Sequence, residues 1–146
     1  MMKTFSAKGL LIEQNHFQQI LLRGRGDGSF AETINKEVSL LPPSDNLRMI
    51  NNDKFIFAKQ SFDQWSLICL EKQSEKEMLR LISAMNANEK ILESDYSNTL
   101  YFEFTGENKD HYLSKLTHFD LRPKRFPVST VAQTLIARID CCIYRL

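Results

Sequence analysis

Two short runs, Lys54–Lys59 and Trp65–Leu70, are apolar on both faces and are separated only by the turn Gln60 to Asp63. A strand whose alternate residues are apolar on either side must be covered twice, so this pair belongs in the middle of a sheet. A further run, Gln18–Arg23, centres on Ile20, Leu21 and Leu22 and runs into the turn residues Gly24, Gly26, Asp27 and Gly28. Two helical patterns supply the cover. Met78, Leu81, Ile82 and Met85 recur at amphipathic spacing behind Ser74 and Glu77, which stand at capping-box spacing. Phe30, Ile34 and Val38 share one helical face behind Ser29 and Glu32, and Pro42 with Pro43 is expected to end that helix.

The rest of the chain is read less directly. Residues 1–17 lack a period and are expected to form an arm or an extended segment. Lys90–Glu93 is expected to add a strand, and Leu100, Phe102 and Phe104 alternate with Tyr101, Glu103 and Thr105 as a half-buried strand would, stopping at Gly106. A short helix over Asn108–His118 should turn Tyr112, Leu113 and Leu116 inward, followed by a basic, proline-broken loop over Asp120–Pro127. Val131–Ile139 and Cys141–Arg145 read as one long strand bulged at Asp140. The order implies an α+β fold of ferredoxin-like split βαβ units, with a mostly antiparallel sheet and helices on one face. An arm (1–17) and a single domain (18–146), or two interleaved lobes, is the expected organisation.

Composition removes several functions. At 146 residues and 42% hydrophobic content the chain can bury a core, roughly 70% of its unfolded surface. A net charge of +1 lacks the excess cation that displaces counterions from phosphate, which argues against nucleic acid. Cys69, Cys141 and Cys142 suit neither a disulfide framework nor a tetrahedral metal site and point to a reducing cytoplasm. No run approaches the roughly 20 apolar residues that span a bilayer.

Chemistry-bearing motifs are sparse. Gly24 to Ser29 has the position of a phosphate loop, but Ser29 stands where a dinucleotide fingerprint has its last glycine, so these glycines are read as turn formers. His16, His111 and His118 fall at no metal-ligand interval, and no serine lies in a nucleophile elbow. Asp95 and Ser97, beside Asn98, are candidates for orienting a pterin or a partner amide, or else simply a turn between strands. Trp65 reads as core or as an interface anchor. Arg122, Lys124 and Arg125, interleaved with Pro123, Phe126 and Pro127, form the most site-like feature; Arg122, Arg125 and Phe126 suit a protein interface, with phosphate or a polyglutamate tail as the other ligand that fits.

Asp120-Leu121-Arg122-Pro123, Phe126-Pro127, Ala132-Gln133-Thr134-Leu135-Ile136-Ala137-Arg138-Ile139 and the closing Ile143-Tyr144-Arg145 together resemble the gamma subunits of heterotetrameric sarcosine oxidase. Asp63-Gln64-Trp65, Asp95 to Asn98 and Leu22-Arg23-Gly24 are similar to shorter elements of that family. The resemblance implies a fold related to the folate-binding domain of the glycine cleavage T protein. It also implies a non-catalytic subunit that packs against the alpha chain, with beta and delta chains completing the complex. FAD, FMN, NAD and tetrahydrofolate would then sit on the partner chains and none on this one. Sarcosine is demethylated by that assembly and the one-carbon unit passes to tetrahydrofolate. A freestanding folate-binding, aminomethyltransferase-like protein is the alternative. The chain departs from the family at Asn98, where an acid is usual, and at Leu146, beyond which members continue with a strand and a helix.

Overall fold

A computed structural model describes residues 3–86, 91–92 and 98–146. The chain divides into two compact units, residues 1–16 with 99–145, and residues 17–98 with Leu146. It is α+β throughout, with antiparallel sheets.

The N-terminal segment is not a free arm. β1 (Thr4–Ala7) and β2 (Leu10–Asn15) pair antiparallel through the two-residue turn Lys8–Gly9, where Gly9 takes φ 69°. Left-handed backbone at the second turn position is what glycine allows without steric penalty.

The second unit is built on β3 (Gln18–Arg23), β4 (Met49–Asn51), β5 (Phe55–Lys59), β6 (Gln64–Cys69) and β7 (Ile91–Leu92), with spatial order β4-β5-β6-β3-β7. β5 and β6 each have a hydrogen-bonded strand on both edges, and both are buried almost throughout. β4 spans three residues, of which only Met49 is buried, so alternation has too little length to show in the sequence. α1 (Gly28–Val38) and α2 (Glu75–Asn86) cover one face, where Phe30, Ile34, Met78 and Leu81 meet Phe57, Trp65 and Leu67. Burying side chains of this size is worth roughly 1.5–3 kcal/mol each and is the main force holding the unit together.

The helix ends differ from their sequence signals. Asp27, not Ser29, is the N-cap of α1, and the Ser29 carbonyl accepts the Thr33 hydroxyl at 2.7 Å. The helix closes at Ser39, which adopts φ 58° and donates to the Asn35 carbonyl, before the prolines are reached. Ser74 lies in a single 3₁₀ turn (Lys72–Ser74) that leads into α2, and its hydroxyl faces the Glu71 carboxylate at 3.4 Å.

The chain then completes the first unit. β8 (Tyr101–Thr105) adds to β2 as an outer strand, which leaves Phe102 exposed where alternation predicted burial. α3 (Lys109–Ser114) is shorter than expected and Leu116, past its end, is exposed. The expected long bulged strand is instead a hairpin of β9 (Thr130–Ile136) and β10 (Ile139–Arg145). Its turn, Ala137 and Arg138, takes φ 50° and 68°, the doubly left-handed geometry that matches hairpin twist. Among the described residues no helix is long and apolar enough to cross a membrane.

Candidate partner interface

Sequence reasoning proposed Arg122, Arg125, Phe126 and Trp65 as anchors, and the structure separates them. Trp65 belongs to the second unit and is fully buried. Its ring stacks on Phe57 at 5.1 Å, its Nε1–H donates to the Gly24 carbonyl at 2.8 Å, and the Lys59 ammonium lies 5.2 Å from the ring centroid. A side chain enclosed in this way is a core residue and has no face left for a partner. The glycine turn before α1 packs on the same aromatics: a Cβ on Gly26 would stand 2.5 Å from Trp65 Cζ2, and one on Gly24 would stand 2.3 Å from Phe30 Cδ2. The glycines there make room for rings.

Arg122, Arg125 and Phe126 do lie on one loop of the first unit. Its turn is closed by Arg125 N–H and Phe126 N–H, both donating to the Arg122 carbonyl at 2.8 and 2.9 Å. Asp120 organises the approach. Its Oδ1 accepts from Arg122 N–H at 3.1 Å and Nε at 2.8 Å, and its Oδ2 accepts from Nη2 at 2.6 Å. These donors hold the Asp120 carboxyl well below the usual carboxylate range, at about 2, and raise the Arg122 guanidinium in turn.

Phe126 turns inward. Only 5% exposed, it joins Leu121 and Ala132 in a small core against Leu113, Phe119 and Ile143, meeting Phe119 edge-to-face at 5.3 Å. The outward-looking neighbours of Phe126 are charged, and that made it resemble a surface aromatic in the sequence. Arg122, Lys124 and Arg125 remain exposed.

Arg145 is the organising residue that sequence reasoning noticed only as the end of a motif. At 12% side-chain exposure, it donates through Nη1 to Asp110 Oδ2 at 3.0 Å and through Nη2 to the Leu121 carbonyl at 2.7 Å, and its Cζ lies 5.0 Å from the Phe126 ring centroid. It thus joins β10, α3 and the basic loop with one planar group, which a lysine point charge cannot do. Arg145 pairs with Thr130 on the hairpin face that also carries Ala132 and Ile143, the face packed on the loop.

The turn end of the hairpin is open. Leu135 and Ile139, at the turn end, are exposed, and a concavity of about 550 Å³ is lined by Gln133, Thr134, Leu135, Asp140, Cys141 and Cys142. Among the described residues no three His, Cys, Asp or Glu side chains converge to hold a metal. Asp95 and Ser97, the folate candidates, lie outside the described residues.

The fold matches a heterotetrameric sarcosine oxidase chain. That chain, from the Corynebacterium sp. U-96 enzyme in complex with pyrrole 2-carboxylate, superposes at a TM-score of 0.76 over 97% of this chain and 73% of its own length. Sequence identity is 15%, so the likeness establishes the fold. No family profile matches the sequence, and no curated protein does. The motif residues Asp120, Leu121, Phe126 and Arg145 have structural work in this sarcosine oxidase-like fold: each ties the loop to the hairpin or to itself.

Proposed function

We propose that this chain is a non-catalytic gamma-type subunit of a sarcosine oxidase complex, acting in the cytoplasm by packing against the larger alpha chain. The observation that carries the reading is the superposition over 97% of the chain. It is supported by the roles of the motif residues, which build a packed loop and hairpin. Flavin (FAD and FMN), NAD and tetrahydrofolate chemistry belongs to the partner chains in this reading, and sarcosine is the amine oxidised by the assembly. The interface uses the exposed basic loop that carries Arg122 and Arg125, while Phe126 and Trp65 stiffen the scaffold from inside. A permanent subunit contact of this kind buries on the order of 2,000 Å² or more in total.

Titration of the isolated chain with tetrahydrofolate, followed by Trp65 emission and by calorimetry, tests the division of labour. The expected result is no saturable response by either method. Saturable binding would move the assignment to a folate-binding, aminomethyltransferase-like protein.

A further inference from the structure

The net charge of +1 hides an uneven distribution. Residues 109–125 hold five Lys and Arg against two Asp, a net of +3, so all other residues together sum to −2. Both of those acids are already engaged, Asp110 by Arg145 at 3.0 Å and Asp120 by Arg122 at 2.6 Å. Lys124 and Arg125 are exposed at the tip of the turn and form no ion pair among the described residues. The turn that carries them is stiffened by Pro123 and held from beneath by Arg145 through the Leu121 carbonyl and the Phe126 ring.

The chemistry of the turn narrows what can sit on it. Compact phosphate sites use converging backbone N–H groups or a free guanidinium fork. Here the N–H groups of Arg122, Arg125 and Phe126 are spent inside the turn, and the Arg122 fork already grips Asp120. The aromatic that could stack on a base, Phe126, is buried. Two long cations on a rigid support remain, and these suit carboxylates spread over a protein surface better than one concentrated anion.

We propose that the Arg122–Arg125 turn is an electrostatic docking surface for an acidic face of the larger partner chain, with Lys124 and Arg125 making the contact and Arg145 acting as a positioning residue beneath it. This rests on the subunit reading above and adds to it where the contact is made and by what force.

The test is binding of the purified alpha-type sarcosine oxidase chain to the wild-type chain and to K124E/R125E, at about 50 mM and about 500 mM salt. R138E, an exposed charge on the hairpin turn of the same unit, is the control, and near-UV circular dichroism checks the fold of each. The expected result is a Kd raised about tenfold or more for K124E/R125E at low salt, narrowing at high salt, with R138E unchanged. Equal binding of wild type and K124E/R125E overturns the docking surface and leaves the subunit reading standing. Failure of the wild-type chain to bind overturns both. If long-chain polyphosphate binds the wild-type chain, competes with the alpha-type chain and is lost with K124E/R125E, the occupant is a polyanion and the acidic-protein assignment falls.

Discussion

Arg145 and Phe126 meet as guanidinium over ring, with Arg145 Cζ 5.0 Å from the Phe126 centroid. Two residues near opposite ends of the loop-and-hairpin segment are thereby held together, and the same guanidinium bonds Asp110 and the Leu121 carbonyl. Replacing it with Gln leaves Asp110 without its cation and the Leu121 carbonyl without its donor. Arg145→Gln is expected to cost about 2–4 kcal/mol in urea unfolding. Limited trypsin digestion should then cut after Lys124 and Arg125 many times faster than in the wild-type chain, because the turn is no longer held. Arg145→Lys should recover only part of the loss, since an ammonium cannot supply the planar two-donor geometry.

Gly26 and Gly28 form a matched pair for separating strain from overpacking. Both have left-handed backbone, φ 84° and 53°, but a Cβ on Gly26 would strike Trp65 while one on Gly28 would meet nothing within 4 Å. Gly28→Ala is expected to cost about 1 kcal/mol, the price of left-handed backbone alone. Gly26→Ala should cost about 2–4 kcal/mol and red-shift Trp65 emission, because the ring must move.

Asp120 gives a pH signature. Its folded pKa, about 2, lies below the ordinary value of 3.8 because the Arg122 side chain donates to it. A depressed carboxyl contributes stability that is fully present above about pH 4 and is lost as the pH falls toward 2. A carboxyl-detected NMR titration should place the Asp120 midpoint near 2, and Arg122→Gln should return it toward the ordinary value. A midpoint unchanged by Arg122→Gln would show that the pair does not control it.

The three thiols should react in a set order. Cys142 is exposed, Cys141 partly so, and Cys69 is buried with its Sγ 3.1 Å from the Glu71 carbonyl. Burial, ahead of the neighbouring glutamates, pushes the Cys69 thiol up, which lowers its thiolate fraction as well as its access. A disulfide reagent at neutral pH should modify Cys142 first and Cys69 only as the second unit unfolds. Early loss of the Cys69 thiol would mean that β6 opens without global unfolding.

The fold was legible where periodicity had length to act. β5, β6, α1 and α2 each repeat their pattern over a full strand or several helical turns, and Phe30, Ile34 and Val38 are buried as their spacing requires. The N-terminal hairpin was hidden because β1 has three of its four residues exposed and so has no alternation to read. The C-terminal hairpin was hidden because Ala137 and Arg138 occupy a turn geometry that Asn and Gly ordinarily announce. At the interface, Arg122 and Arg125 were legible as exposed charge, whereas the inward turn of Phe126 depends on bonds to the Arg122 carbonyl that no local pattern encodes. Arg145 stood in plain view at the end of β10, yet its partners are 24 and 35 residues away in sequence.

The most direct measurement is native mass determination of whatever co-purifies when this chain, carrying an affinity tag, is co-expressed with an alpha-type sarcosine oxidase chain. The expected result is a stable one-to-one assembly whose flavin travels with the partner when the chains are separated. Recovery of this chain alone, with the folded alpha-type chain left in the flow-through, would contradict the subunit assignment.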